Sequence, residues 1–331
     1  MTASRSPGGA RSQRRAEAER RRQFRRRRAV ALAGALVALA ALIIGARAGS
    51  GGSGQDAGGG DQVAATPPPE LPRGGQELFG EGRRLVGFYG APQDEELGEL
   101  GIGEPSDAGQ RLLDQASAYA ADGQPVMPFM ELISTVAAAD PGDDGLYRNQ
   151  LPPRVIDDYL AAAREIDALF VLDIQPGQAD FESETRRLLP YLRESDVGLA
   201  LDPEWHMQPG EVPGQTIGSV DADDVNRIQA MLSKIVADEN LPQKLLIVHQ
   251  FTADMIVGKE RLREYPGVEL VLNIDGFGTR EEKVVKYHEL KTRKDSEFFT
   301  GFKLFYREDV GLMSPEQVLG LGPPPDLVLY E

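Results

Sequence analysis

Two acids separated by one residue, Asp202 and Glu204, close the apolar run Val197-Gly-Leu-Ala-Leu201, and the chain's single tryptophan, Trp205, follows them. In an extended strand alternate side chains share a face, so Asp202 and Glu204 would stand on one side with Gly198 and Ala200, while Val197, Leu199 and Leu201 face the other. Two carboxylates in one patch resist joint ionisation, so one is driven to keep a proton while the other stays charged. Paired acids of this kind do general acid–base work, and the small residues at 198 and 200 would leave room beneath them.

The elements that must position this pair read as alternating strands and helices. From about residue 80, short apolar runs alternate with amphipathic stretches, the pattern of βα units in a parallel sheet. Strands are predicted at 84–89, 124–130, 168–174, 197–201, 244–249, 268–274, 301–306 and 326–330. Helices are predicted at 106–121, 154–166, 181–193, 222–239, 252–264, 279–293 and 314–319. Ser106 and Ser314 suit N-caps, Pro315 suits the first helical position, and Gly123 suits the position past a helix end. Eight strands in about 250 residues predict one (β/α)8 barrel over residues 80–331. An open doubly wound sheet would carry a glycine-rich phosphate turn after its first strand. Here Tyr89 is followed by Gly-Ala-Pro-Gln-Asp-Glu-Glu, an acidic loop that would repel a pyrophosphate.

A barrel gathers its chemistry at the C-terminal ends of its strands. Strand two ends in Glu131, strand three in Asp173 and Gln175, strand four in Asp202 and Glu204, strand five in His249 and Gln250, and strand six in Asn273 and Asp275. Tyr89 ends strand one and Tyr306 strand seven. The connections from Glu131 to about Pro153 and from Trp205 to about Val220 are the longest, and both follow strand C-termini, where long loops line or cover substrates.

A strand-four Asp-x-Glu in a barrel of this type resembles the chitinase-type and lysozyme-type glycoside hydrolases. The resemblance implies that Glu204 protonates a glycosidic oxygen and that Asp202 tunes it. That family's fuller motif carries further aspartates upstream on the strand, where this chain has Val197 and Ala200, which argues against substrate-assisted chemistry. On physical grounds Glu204 would be the general acid, its pKa raised by Asp202 and by partial burial. Asp275 or Asp173 would be the second carboxylate, acting across the mouth as nucleophile, base or oxocarbenium stabiliser. Trp205, Tyr89, Tyr306 and Phe277 are candidates to stack on sugar faces, and Glu131, Gln175, His249, Gln250 and Asn273 to bind hydroxyls. No cofactor is expected.

Two other chemistries compete. The ring of Glu131, Asp173, Asp202, Glu204, His249 and Asp275 would also suit a hard divalent cation in a metal-dependent hydrolase. No His-x-His or His-Glu-x-x-His motif supports it, and no metal ligand is assigned. Alternatively the barrel is a non-catalytic binder of glycan or of a partner at the cell surface. A Ser-His-Asp hydrolase lacks its Gly-x-Ser-x-Gly elbow, and thiol chemistry is excluded by the absence of cysteine.

Charge divides the chain sharply. Twelve arginines precede residue 49 against only Glu17 and Glu19, so the remainder holds 24 basic and 50 acidic residues. A surface this acidic repels phosphate backbones, and nucleic acid is not an expected partner. Residues 1–28 form an arginine-rich segment, and 29–46 are an uncharged apolar run long enough to cross a bilayer. Arginine on the N-terminal side predicts N-in topology, a membrane-anchored chain and an extracytoplasmic barrel. Cleavage near Ala48 would instead give a secreted product. Residues 49–78, rich in Gly, Ser and Pro, read as a disordered linker. Carbohydrate of the cell wall or envelope is the partner this placement predicts.

Overall fold

A computed structural model describes residues 68–120, 123–291 and 298–331. The expected cytoplasmic segment, the apolar run 29–46 and the linker as far as residue 67 lie outside the described residues. Among the described residues no helix is long and apolar enough to cross a membrane.

Eight parallel strands close into a barrel. They are β1 (Arg84–Gly90), β2 (Val126–Ala137), β3 (Leu169–Ile174), β4 (Val197–Leu201), β5 (Lys244–Gln250), β6 (Val268–Ile274), β7 (Phe299–Leu304) and β8 (Leu327–Tyr330). Each pairs with the next, and β8 returns to β1 through Leu85–Leu327 to Phe88–Tyr330, so no edge is left open. Helices α1 (Pro105–Ser117), α2 (Pro153–Glu165), α3 (Phe181–Arg187), α4 (Leu189–Leu192), α5 (Ala222–Glu239), α6 (Arg280–Leu290) and α7 (Pro315–Leu319) accompany the strands.

Strand alternation divides the core into two. Val197, Leu199 and Leu201 join Leu246 and Val248 in the cluster packed under the helices, as their positions predict. Ala200, Leu245, Ile247, Val171 and Phe129 fill the barrel itself. Phe129 can lie over the adjacent strand because residue 87, its register partner, is glycine: a Cβ there would stand 2.4 Å from the ring. An inward alanine at 87 would therefore overpack the interior.

The base of the barrel is closed by residues expected to be linker. Leu71 and Leu78 are buried within the inner cluster, Phe79 stacks on Phe299 at 3.8 Å, and the Leu78 N–H donates to Gln243 Oε1 at 2.8 Å. Buried structure thus begins at Leu71, seven residues before the linker's predicted end at 78. Glycine and proline hid the two leucines in the composition.

Other elements differ for local reasons. Pro105 occupies the first position of α1, so the N-cap is Glu104 and not Ser106, and the helix stops at Ser117, short of Gly123. Residues 181–193 form two helices, with Leu188 between them and Pro190 opening the second. The helix predicted at 252–264 is absent. Ile256–Val257 instead pairs with Val220–Asp221, and Gly258, at φ 68°, turns the chain into a single 3-10 turn. Ser314 does cap α7 in a capping box with Gln317.

Leu78→Ala should cost about 2–5 kcal/mol, as for other fully buried leucines. Urea unfolding of the two proteins measures it, and an unchanged midpoint would return residue 78 to the linker.

Candidate functional site

Every strand delivers a polar group to the axis at the C-terminal mouth. They are Tyr89 from β1, Glu131 from β2, Asp173 from β3, Asp202 just past β4, His249 from β5, Asn273 from β6, Lys303 from β7 and Glu331 just past β8. Asp275 and Gln175 follow just past the ends of β6 and β3. All but Glu331 are buried, over a floor that includes Ala200, Val171, Ile247 and Val271. A polar layer on an apolar one is what strand periodicity yields when only the last inward position of each strand is hydrophilic.

His249 occupies the centre of this layer. Its Nε2 meets Glu131 Oε1 at 2.7 Å, and its Nδ1 meets both oxygens of Asp275 at 3.1 Å. Burial disfavours charge on the ring, but Asp275 and Glu131 outweigh it and raise the imidazole pKa well above 6.5. Asp275 is fixed in turn: Asn273 Nδ2 donates to Oδ1 at 2.7 Å, and Lys303 Nζ lies 3.5 Å from Oδ2. Asn273 reaches there over Gly301, where a Cβ would stand 2.4 Å from its Oδ1.

Beside this clasp lies a pair of carboxylates joined by a phenol. Tyr89 Oη donates toward Asp173 Oδ2 at 3.1 Å and Asp202 Oδ2 at 3.4 Å, and Gln175 Nε2 donates to Tyr89 Oη at 3.1 Å. Gln175 is itself held by the Ala137 N–H on its Oε1. A single hydroxyl proton cannot satisfy two carboxylates at once. Burial first, then Asp202, drives Asp173 well above the usual carboxylate range. Burial, Asp173 and Asp202 together raise the Tyr89 phenol, so it stays a donor. Among the described residues, Glu131 Oε2 and Asp173 Oδ1 are buried with no hydrogen-bond partner.

Two lysines complete the mouth. Lys303 Nζ lies 2.7 Å from Glu331 Oε2 and 3.4 Å from the centre of the Tyr89 ring. Lys283, from α6, donates to the carbonyls of Gly276 and Lys303 and lies 3.1 Å from Asp309 Oδ2, which ties the β6 and β7 ends together. Burial pulls its pKa down to about 8 although Asp309 opposes the shift.

The structure brings Glu131, Asp173, Asp202, His249, Asn273, Asp275, Gln175 and Tyr89 into one cluster. Glu131 lies within β2, which runs six residues past it. Glu204 is buried but is not on the strand: Pro203 lacks an N–H and starts a 3-10 turn, Pro203–Trp205, so strand alternation no longer aligns Glu204 with Asp202. Trp205 is half-buried on that turn, and Phe277 packs edge-on to Phe305 within the fold.

Two predicted residues lie elsewhere. Gln250 follows inward His249, so it alternates outward, where its Oε1 accepts from Lys259 Nζ at 2.9 Å. Tyr306 lies beyond β7, which begins two residues before the predicted start and ends at Leu304. It faces the helices, stacking on Tyr330 and donating to Gln115 of α1. Lys303 and Glu331 were missed as site residues. The signal was present, since Lys303 is an inward position of β7 and Glu331 follows the last strand.

Asp173 and His249 each hold a proton more readily in the folded chain than in the unfolded one. Each therefore stabilises the fold fully below its unfolded value, 3.8 or 6.5, and that stability is lost as pH rises toward the folded value. In chelator, Asp173→Asn should gain stability relative to wild type as pH rises above 3.8, by at most about 1.4 kcal/mol per pH unit. Urea midpoints from pH 4 to 9 measure the difference, and a constant offset would show that Asp173 holds no extra proton.

Compared with known proteins, the chain matches no family model, no curated protein and no solved structure.

Proposed function

We propose that the protein is a membrane-tethered, extracytoplasmic glycoside-hydrolase-like enzyme acting on cell-envelope or extracellular carbohydrate by carboxylate acid–base chemistry. One observation carries this reading: Asp202, buried at the mouth of a closed (β/α)8 barrel, is held between Tyr89 and Gln175 and stands two residues before the buried Glu204. The arginine-rich residues 20–28 and the apolar run 29–46 support the tether and the extracytoplasmic side.

In this scheme Glu204 gives its proton to the glycosidic oxygen as the bond to the anomeric carbon breaks, and the leaving sugar departs as an alcohol. Asp202, kept in place by the Tyr89 hydroxyl and the Gln175 amide, faces the positive charge that grows on the sugar ring. Water adds to the anomeric carbon, and its proton returns to a carboxylate. Asp173 is the carboxylate coupled to Asp202, in preference to Asp275, which is occupied by His249, Asn273 and Lys303. It acts through Tyr89 as a positioning residue. Trp205, on the same turn as Glu204, supplies an aromatic face for a sugar ring.

Glu204→Gln should lower cleavage of an envelope polysaccharide about 10²–10⁴-fold while glycan binding persists, the range for loss of a general acid. Reducing ends released by the full chain measure cleavage, and calorimetry measures binding. Undiminished cleavage by Glu204→Gln would sink the acid assignment. Glycan bound but uncut by the wild type would make the barrel a binder.

A further inference from the structure

We infer that Glu131, Asp173 and His249 form a divalent-cation site on the barrel axis, with a donor set suited to Zn²⁺ or Mn²⁺. One ligand atom from each residue lies within 4.8 Å of the others, and all three side chains are buried. They come from β2, β3 and β5, so three rigid strands set the geometry.

Each carboxylate is held through one oxygen and leaves the other without a partner, while His249 turns Nε2 into the site. Asp173 is fixed through Oδ2 by Tyr89, and its Oδ1 has no partner. Glu131 meets the imidazole through Oε1, and its Oε2 has no partner. His249 is fixed through Nδ1 by Asp275, which directs Nε2 toward Glu131. A carboxylate on the far nitrogen of a metal-binding histidine is the usual way to set its tautomer and aim its lone pair. Asp275 is itself steadied by Asn273 and Lys303, so an outer layer is complete.

Two buried carboxylate oxygens without donors are costly, and a cation is the kind of partner that they lack. On binding, the ion takes the place of the proton that Nε2 shares with Glu131, and that proton passes to solvent. An imidazole nitrogen with two carboxylates favours first-row divalent ions over Ca²⁺ or Mg²⁺, which prefer all-oxygen sets. Three protein ligands leave a coordination position for water or for a substrate oxygen. The site does not rest on the glycosidic scheme, since neither Glu204 nor Asp202 is a ligand.

The test is titration of the full chain, in detergent and stripped with chelator, with ZnCl2 or MnCl2 alone. One ion should bind per chain. Glu131→Gln and Asp173→Asn should each weaken binding at least tenfold, and Asp275→Asn about 10–100-fold. Spin-echo spectra of wild type loaded with Mn²⁺ and ¹⁵N-labelled histidine need no variant to fold, and should show coupling to one imidazole. The coupling should vanish in His249→Gln and persist in His206→Gln. No binding of either ion, binding of Ca²⁺ alone, or bound Mn²⁺ without histidine coupling would each overturn the site. Ion binding by a protein that cuts no glycan would overturn the glycosidic scheme and leave this one standing.

Discussion

The contact between His249 on β5 and Glu131 on β2 reaches across the barrel axis, and the mouth is organised around it. It joins strands that are not neighbours, with the imidazole flanked on its other side by Asp275 from the end of β6. Such a buried charged group is expensive unless its partners are rigid and its bonds are all made. Here Asn273, Lys303 and Lys283 supply the rigidity, and Gly87 and Gly301 supply the space, one for Phe129 and one for Asn273. The arrangement of the mouth depends on glycines a layer below it.

Charge at the mouth is deliberately uneven. Carboxylates from Glu131, Asp173, Asp202 and Asp275 surround His249 and Lys303, and burial removes the water that would screen them. The excess must be met by retained protons or by a cation, and Asp173 and His249 are where it is concentrated. Strong pKa perturbation beside unmet hydrogen-bonding capacity marks a working site more readily than a structural one. A structural carboxylate in the same protein looks different. Glu184 is equally buried, yet Arg148, Gln150, Thr135 and Arg187 meet both of its oxygens.

Strand positions were legible because apolar runs of four to seven residues leave little choice of element, and the inward and outward faces of β4 followed from period two. The site was legible to the extent that it obeyed the same period, which covers Asp173, Asp202, His249, Asn273 and Asp275. It failed where strand ends moved. A shift of two residues in β7 removed Tyr306 and brought in Lys303, and Pro203 moved Glu204 off the strand. The predicted helix at 252–264 failed because a helical apolar spacing also suits a short β-bridge when Gly258 turns the chain. The coupling of Asp173 to Asp202 runs through Tyr89, which lies 84 positions from the first and 113 from the second, a link that no local pattern reports.

Leu71 and Leu78 seal the end of the barrel opposite the acids. Whatever lies upstream therefore joins the domain at its foot. The entering chain and the polar mouth are thus separated by the length of the barrel. A ligand can reach the acids without passing the segment by which the chain enters the fold.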